Sequence, residues 1–276
     1  MLLNWSTLGG VASFFGFAHF NWNLSPKFSA NWCPSSYGSL TREQRLEWDA
    51  RVGSSVHAVF CCLVCLVCWL CQPVSLFNDP KNLGGSWWFL TAAMVVMAGY
   101  MLADCVGMLA YMTWKEMGPY LLHHCVAMIC FLYCTHYGML QYFVLFRLIS
   151  EVSTPFVNLM WFFRISGYRN RAPMLNSVNS LVLAVSFAAG RIVLIPFYWI
   201  KVVNFLTGSG KFFIFRFPIT FAFWTLFSGL LDVLNIIWFR RILIGGLKVW
   251  RGSRKVKTDE LTVYAASNGV ASSPSQ

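Results

Sequence analysis

Charge is scarce in this chain. Asp, Glu, Lys and Arg together make up 11% of its 276 residues, whereas soluble domains carry roughly 25%. That shortage excludes an extended solvated surface. With 57% hydrophobic residues and a mean hydropathy of +0.57, it points to an integral membrane protein. No basic n-region precedes the first apolar run, which argues against a cleaved signal peptide. There is no terminal retention signal of the Lys-Asp-Glu-Leu type, no inverted repeat, and no indication of a disulfide framework among the ten cysteines.

Long apolar runs are present in abundance. A helix needs about 20 mostly apolar residues to cross a bilayer. Runs of that kind lie at 2–20, 52–71, 87–111, 119–137, 139–163, 175–200 and 213–239. They predict an all-α polytopic membrane protein, a six- to seven-helix transmembrane bundle without a sizeable soluble domain. The first run is diluted by Gly9-Gly10, Ser13, Gly16 and His19. Turn or helix-start signals separate the others at Pro73, Asn78-Asp79-Pro80, Gly84-Gly85, Gly118-Pro119, Arg171-Ala172-Pro173 and Gly208-Ser209-Gly210. The chain divides into an N-terminal helix and loop (1–41), a transmembrane domain (42–241), and a tail (242–276) that is basic and then disordered.

Lys and Arg set the orientation. With seven spans, the loops on the C-terminal side hold 15 of the 21 basic residues, among them Arg42, Arg45, Arg51, Arg164, Arg169, Arg171 and the group from Arg240 to Lys257. The positive-inside rule then places the C-terminus in the cytosol. A net charge of +11 invites a nucleic-acid reading, but these groups sit at span ends and do not form one face, so no nucleic-acid partner is expected. The tail cluster Lys248, Arg251, Arg254, Lys255 and Lys257 is either a flank that stops translocation or a contact for anionic leaflet lipid.

Cys61, Cys62, Cys65, Cys68 and Cys71 fall within one apolar run and on one helical face, where free Cys packs as a small apolar residue; no metal is expected. The ionisable groups within the spans are more specific, because hydrocarbon penalises them and they turn toward a protein-lined interior. They are Asp104, His123, His124, Arg147, Glu151, Arg191 and Asp232. Arg147, Ser150, Glu151, Thr154 and Asn158 recur at helical spacing, so one side of one helix is a polar stripe on which Arg147 and Glu151 can neutralise each other. Pro155 is placed to kink that helix. Residues His123 and His124 point about 100° apart, so at most one is expected to project into a given cavity, as a candidate general base. His19, His57 and His136 are read as cross-helix hydrogen-bonding groups.

Four segments carry a resemblance to a known family. Trp48-Asp-Ala-Arg51 with Ser54-Ser55-Val-His57, the Asp104 span, Pro119-Tyr-Leu-Leu-His123-His124 and Glu151-Val-Ser-Thr-Pro155-Phe-Val-Asn158 resemble the TLC-domain family, which includes translocating-chain-associated membrane proteins and Lag-type ceramide synthases. The resemblance spans roughly 42–241. It implies a helical bundle of TLC type closed around a lipid-accessible cavity, in the endoplasmic reticulum or a related membrane, with a role in lipid composition. Ceramide synthases of the family carry a His pair and, further along, a His-Asp pair and another Asp. Counted from His123 and His124, those later positions fall on Ser150-Glu151 and Thr154, so the second His is missing.

Three functions are compatible with these residues. In the first, the protein binds or senses a lipid in an intramembrane cavity lined by Asp104, Arg147, Ser150, Thr154, Asn158, Arg191 and Asp232, and acts in membrane lipid homeostasis without a cofactor. The second is an acyl-CoA-dependent lipid acyltransferase, with acyl-CoA as co-substrate, His123 or His124 as base and Glu151 as its partner. The third is a transporter or channel that uses Arg147, Glu151, Asp232 and Arg191 as an ion path. Membrane lipids are the expected partners, with homo-oligomers left open.

Overall fold

A computed structural model describes residues 5–71, 88–137, 140–208 and 211–267, the side chains of 211–213 and 248–267 excepted. Helices account for its architecture, and there is no strand among the described residues. In chain order they are α1 (Trp5–His19), α2 (Ser25–Trp32), α3 (Pro34–Gly38), α4 (Arg42–Cys71), α5 (Trp88–Met108), α6 (Trp114–Tyr137) and α7 (Gln141–Leu148). Then follow α8 (Thr154–Ile165), α9 (Tyr168–Arg171), α10 (Pro173–Phe187), α11 (Leu194–Thr207), α12 (Lys211–Arg216) and α13 (Pro218–Ser267).

Six helical stretches among the described residues are long and apolar enough to cross a membrane: α4, α5, α6, α7 through α8, α10 through α11, and α13 as far as Leu247. The chain is a multi-pass integral membrane protein. Helix α5 is its centre, with 72% of its apolar window buried against 22–39% in the other five. Its inner residues Leu90, Met94, Met97 and Met101 pack with Cys61, Cys65 and Cys68 of α4 and with Leu145 and Tyr198 into one apolar core. All ten cysteines are free.

The first predicted run is not among the six. Its regular part is the 15-residue α1, which passes through a π-helical turn at Phe20–Leu24 into α2. The small residues that dilute its hydropathy let it lie tightly along α5: a Cβ built on Gly99 would stand 2.5 Å from the Gly10 carbonyl oxygen and 2.5 Å from Ser13 Cβ. At that closeness Ser13 Oγ donates to the Val96 carbonyl at 2.6 Å, the small-residue packing on which membrane helices rely. Gly99→Val therefore has no space to enter and is expected to cost about 1–3 kcal/mol. It lowers the melting temperature in detergent, while Gly107→Val, where an added Cβ meets nothing within 4 Å, leaves it in place.

The other predicted runs shift at their ends. Helix α4 begins at Arg42 and not at 52, because Thr41 caps it: the Gln44 N–H donates to Thr41 Oγ1 at 3.3 Å and the Thr41 N–H donates to Gln44 Oε1 at 3.0 Å. Gly118-Pro119, read as a helix start, lies inside α6, which opens at Trp114 behind Thr113. Pro73, Asn78 to Pro80, Gly84-Gly85 and the Ser/Gly-rich end beyond Ser267 fall outside the described residues.

Two features fix the end of the bundle that carries most of the basic residues. Asp49 of α4 accepts hydrogen bonds from Ser25 Oγ at 2.6 Å and Tyr37 Oη at 2.7 Å, and Trp48 Nε1 donates to Ser29 Oγ at 3.0 Å, so α2 and α3 are tied to α4. Burial and the Asp49 carboxylate push the Tyr37 hydroxyl well above its ordinary pKa. The second feature is a 3₁₀ turn, Ile149–Ser153, between α7 and α8. Pro155, which has no N–H to donate, sits in the first turn of α8, so the helix breaks before the proline and restarts at it.

Candidate functional site

Helix halves that lie toward one end of the bundle enclose a cavity of about 570 Å³. Its walls come from the first half of α4, the last turns of α5, the first half of α6, α8, α10 and the late membrane turns of α13. Antiparallel alternation brings all of these to the same end, where the basic loops also lie. Of the residues singled out in the sequence, Asp104, His123, His124, Glu151, Thr154, Asn158 and Arg191 line this space. Arg147, Ser150 and Asp232 do not.

The split of the polar stripe has a physical cause. A 3₁₀ turn advances about 120° per residue against about 100° in an α-helix, so the three such residues from Ile149 to Glu151 carry Glu151 roughly 60° further round than a regular helix would. Arg147 and Glu151 therefore face different neighbours and do not neutralise each other. Arg147 forms an ion pair with Asp232 of α13, donates to the Ser228 carbonyl at 3.3 Å, and lies over the Tyr198 ring with its guanidinium carbon 4.0 Å from the centroid. Trp199 Nε1 completes the Asp232 carboxylate at 2.8 Å. Ser150 Oγ turns back onto the Arg147 carbonyl at 2.6 Å.

Glu151 faces the cavity instead. It accepts from Thr154 Oγ1 at 2.7 Å and stands 3.7 Å from the guanidinium of Arg191. Arg191 sits in a π-helical turn, Ala188–Val193, between α10 and α11. It is held by the Ser150 carbonyl at 3.0 Å, Ser153 Oγ at 3.1 Å and Asn235 Oδ1 at 3.1 Å. Gly190 allows that approach, since a Cβ there would stand 2.9 Å from Val152 Cγ1. Asn158 links α8 to α4: its Nδ2 donates to the Arg51 carbonyl at 3.1 Å and to Ser55 Oγ at 3.0 Å, and Arg51 Nη1 donates to Asn158 Oδ1 at 3.2 Å.

Both histidines line the cavity, where at most one was expected, because the space wraps an arc of α6 wider than the 100° between them. His124 Nδ1 lies 3.4 Å from Asp104 Oδ2 of α5, and their side chains are only 15% and 8% exposed. The carboxylate beside the histidine thus comes from the preceding helix and not from Glu151. His123 Nδ1 has no partner, and the Oδ1 of cavity-lining Asn176 is likewise buried without one.

Several wall residues were not singled out as site residues. Arg51, the last residue of the Trp48-Asp-Ala-Arg51 motif, pairs with Glu47 at 2.7 Å and lies over Trp161 at 4.9 Å. His57, read as a structural group, is buried against the wall and stacked on Tyr100 with centroids 3.7 Å apart. Arg164, Arg169 and Arg241 were counted only as loop cations, yet all three line the mouth. A count of basic residues shows their side of the membrane but not their convergence on one opening. Among the described residues, no group of three or more His, Cys, Asp or Glu side chains is placed to hold a metal ion.

The chemistry available is that of an amphiphile site. Met101, Met108, Leu183 and Phe187 offer an apolar wall beside a floor of imidazole, carboxylate and guanidinium groups. The family model described as TLC domain matches residues 47–244. TLC domain-containing protein 4-B of Danio rerio is 36% identical over 250 residues, 89% of this chain and 90% of that protein. The 4-B protein of Xenopus laevis is 33% identical over 218 residues, 77% and 79% of the two chains. TLC domain-containing protein 4 of Homo sapiens is 29% identical over 251 residues, 89% and 90%. No solved structure matches the chain.

Proposed function

Since the chain belongs to the TLC domain family, we propose that it binds a membrane lipid within the cavity and acts through that binding in membrane lipid homeostasis. The observation that carries this reading is the cavity itself: about 570 Å³ within a membrane bundle, apolar on one wall and polar at its floor. Such a volume falls within the range of pockets that hold small molecules, about 300–1,000 Å³. Two buried polar atoms on its wall, His123 Nδ1 and Asn176 Oδ1, lack partners, which a ligand with donor and acceptor groups would supply. By the positive-inside rule the mouth opens to the cytosol and the C-terminus lies on that side. The endoplasmic reticulum is the membrane we assign, on the family resemblance, and co-localisation with a marker of that membrane tests it.

Mass spectrometry of lipid retained by the detergent-purified protein tests the reading. An acyl lipid present at a stoichiometric level is the expected result, and its absence from protein purified at low detergent overturns the proposal.

One observation favours a second reading, acyl transfer from acyl-CoA: the approach of His124 to Asp104. A carboxylate 3.4 Å from an imidazole nitrogen is placed to orient the ring, as a general base requires. Against it, Ser150 stands where related synthases carry a second histidine, and its hydroxyl is turned away from the cavity onto backbone. If transfer occurs, purified protein given acyl-CoA and a sphingoid or lysolipid acceptor forms an acylated product. Asp104→Asn then lowers turnover by roughly a hundredfold or more at unchanged melting temperature. If binding is the whole function, His124→Ala changes which lipid is retained and there is no turnover to lose.

A further inference from the structure

We infer that the mouth of the cavity recognises the phosphate of an anionic glycerophospholipid of the phosphatidate type. The phosphate rests on Arg164, Arg169 and Arg241, with the acyl chain along the apolar wall. This inference rests on the lipid-binding reading above and names the lipid class.

The three arginines come from three separate elements, the end of α8, the short α9 and the late membrane turns of α13, and each lines the cavity. All three are exposed, and among the described residues none forms an ion pair or donates a hydrogen bond. Their charge is not offset within the wall. The cavity's carboxylates are Asp104 and Glu151, which stand beside His124 and Arg191, while Arg51 is taken by Glu47. The opening therefore carries three unopposed positive charges above a lower region whose charges are matched.

An exposed arginine commonly spends its charge on water, but three unpaired arginines lining one cavity raise the local positive potential and favour an anion there. Guanidinium groups bind phosphate through paired N–H donors. Several guanidinium donors on one cavity wall suit a tetrahedral oxyanion with several acceptor oxygens better than a planar carboxylate. The position suits a lipid, since Arg164 and Arg169 lie where α8 gives way to α9 and α10, at the end of one membrane-crossing stretch, and Arg241 lies in the last turns of another, close to headgroup depth. Asn176, in the first turn of α10 and also on the wall, presents a buried Oδ1 without a donor. A glycerol hydroxyl of a lysophospholipid, or a protonated phosphate oxygen, would satisfy it.

The test uses full-length protein in detergent, with binding read by native mass spectrometry. The probes are dioctanoyl-phosphatidate, dioctanoyl-glycerol of the same chain length, decanoate and palmitoyl-CoA. Each arginine that meets the phosphate contributes about fivefold, so phosphatidate binds on the order of a hundredfold more tightly than the diacylglycerol. The triple variant Arg164→Gln, Arg169→Gln, Arg241→Gln removes that preference and leaves diacylglycerol binding as it was. The corresponding lysine variants keep most of the preference, which controls for a folding defect. Equal binding of phosphatidate and diacylglycerol, or a preference that survives in the glutamine variant, overturns the inference and leaves the lipid-binding reading intact. Tight palmitoyl-CoA or decanoate with weak phosphatidate overturns it as well, assigning the arginines to a different anion. If no acyl compound binds, the cavity reading fails and this inference with it.

Discussion

Asp232→Leu alone is expected to remove about 3–5 kcal/mol of stability and, in practice, most of the folded protein recovered in detergent. The substitution takes away the carboxylate that Arg147 pairs with and leaves a guanidinium, 20% exposed, unpaired against Tyr198 and Ser228. Uncompensated charge of this kind is the costliest arrangement a membrane interior offers, and the Arg147 Nε already lacks a partner. The reciprocal change Arg147→Met removes the unpaired cation. The double variant Arg147→Met, Asp232→Leu is therefore expected to recover most of the lost stability, since apolar replacement of a buried pair is often neutral or better. Fluorescence-detected size exclusion and thermal unfolding of the four proteins give the comparison. A single Asp232→Leu variant that melts with the parent would mean that the pair carries no such strain. Because neither residue lines the cavity, the double variant retains whatever lipid the parent retains.

That pair also illustrates what could be read in the sequence. Asp232, Arg147, Glu151 and Arg191 were recognisable as interior groups because hydrocarbon leaves them nowhere else to go, and the spans were recognisable because each helix must be apolar for about 20 residues. Their pairing was not. Arg147 and Glu151, four positions apart, look like a natural couple on a regular helix, and only the 3₁₀ turn at Ile149–Ser153 separates them. The turn has no strong local signature beyond the Pro155 that follows it. His124 likewise finds its carboxylate on α5, twenty positions earlier in the chain, a distance that no periodicity connects.

The first segment shows the same limit from the other side. Hydropathy scores Gly9, Gly10 and Ser13 as defects in a span, while packing uses them as the surface on which α5 rests. Composition measures what a helix prefers as solvent, and it does not register how closely two backbones approach. The rim arginines were visible only as a count toward orientation, because α13 shares the cavity wall with α8 and α9 in space and not in sequence. What remained hidden was thus pairing across helices, which is also what distinguishes a hollow bundle from a solid one.

A substitution that fills the hollow separates those two cases. Val157 of α8 lines the cavity and is only partly buried, so a Val157→Trp side chain is expected to take up part of the cavity. A lipid chain shortened in effect by two or three methylenes loses about 0.8 kcal/mol for each, which lowers affinity roughly ten- to fiftyfold. Lipid retained through purification is then expected to fall to background. The melting temperature holds or rises, since the indole fills empty volume. Val185→Trp on α10, where Val185 is 60% exposed on the outer face, leaves retention unchanged. If Val157→Trp keeps its full complement of lipid, the ligand lies elsewhere on the bundle. If it melts well below the parent with no change in lipid, the space around Val157 is packed protein and not a binding chamber. Loss of lipid without loss of fold is the result that ties the polar floor of His123, His124 and Asp104 to a molecule lying above it.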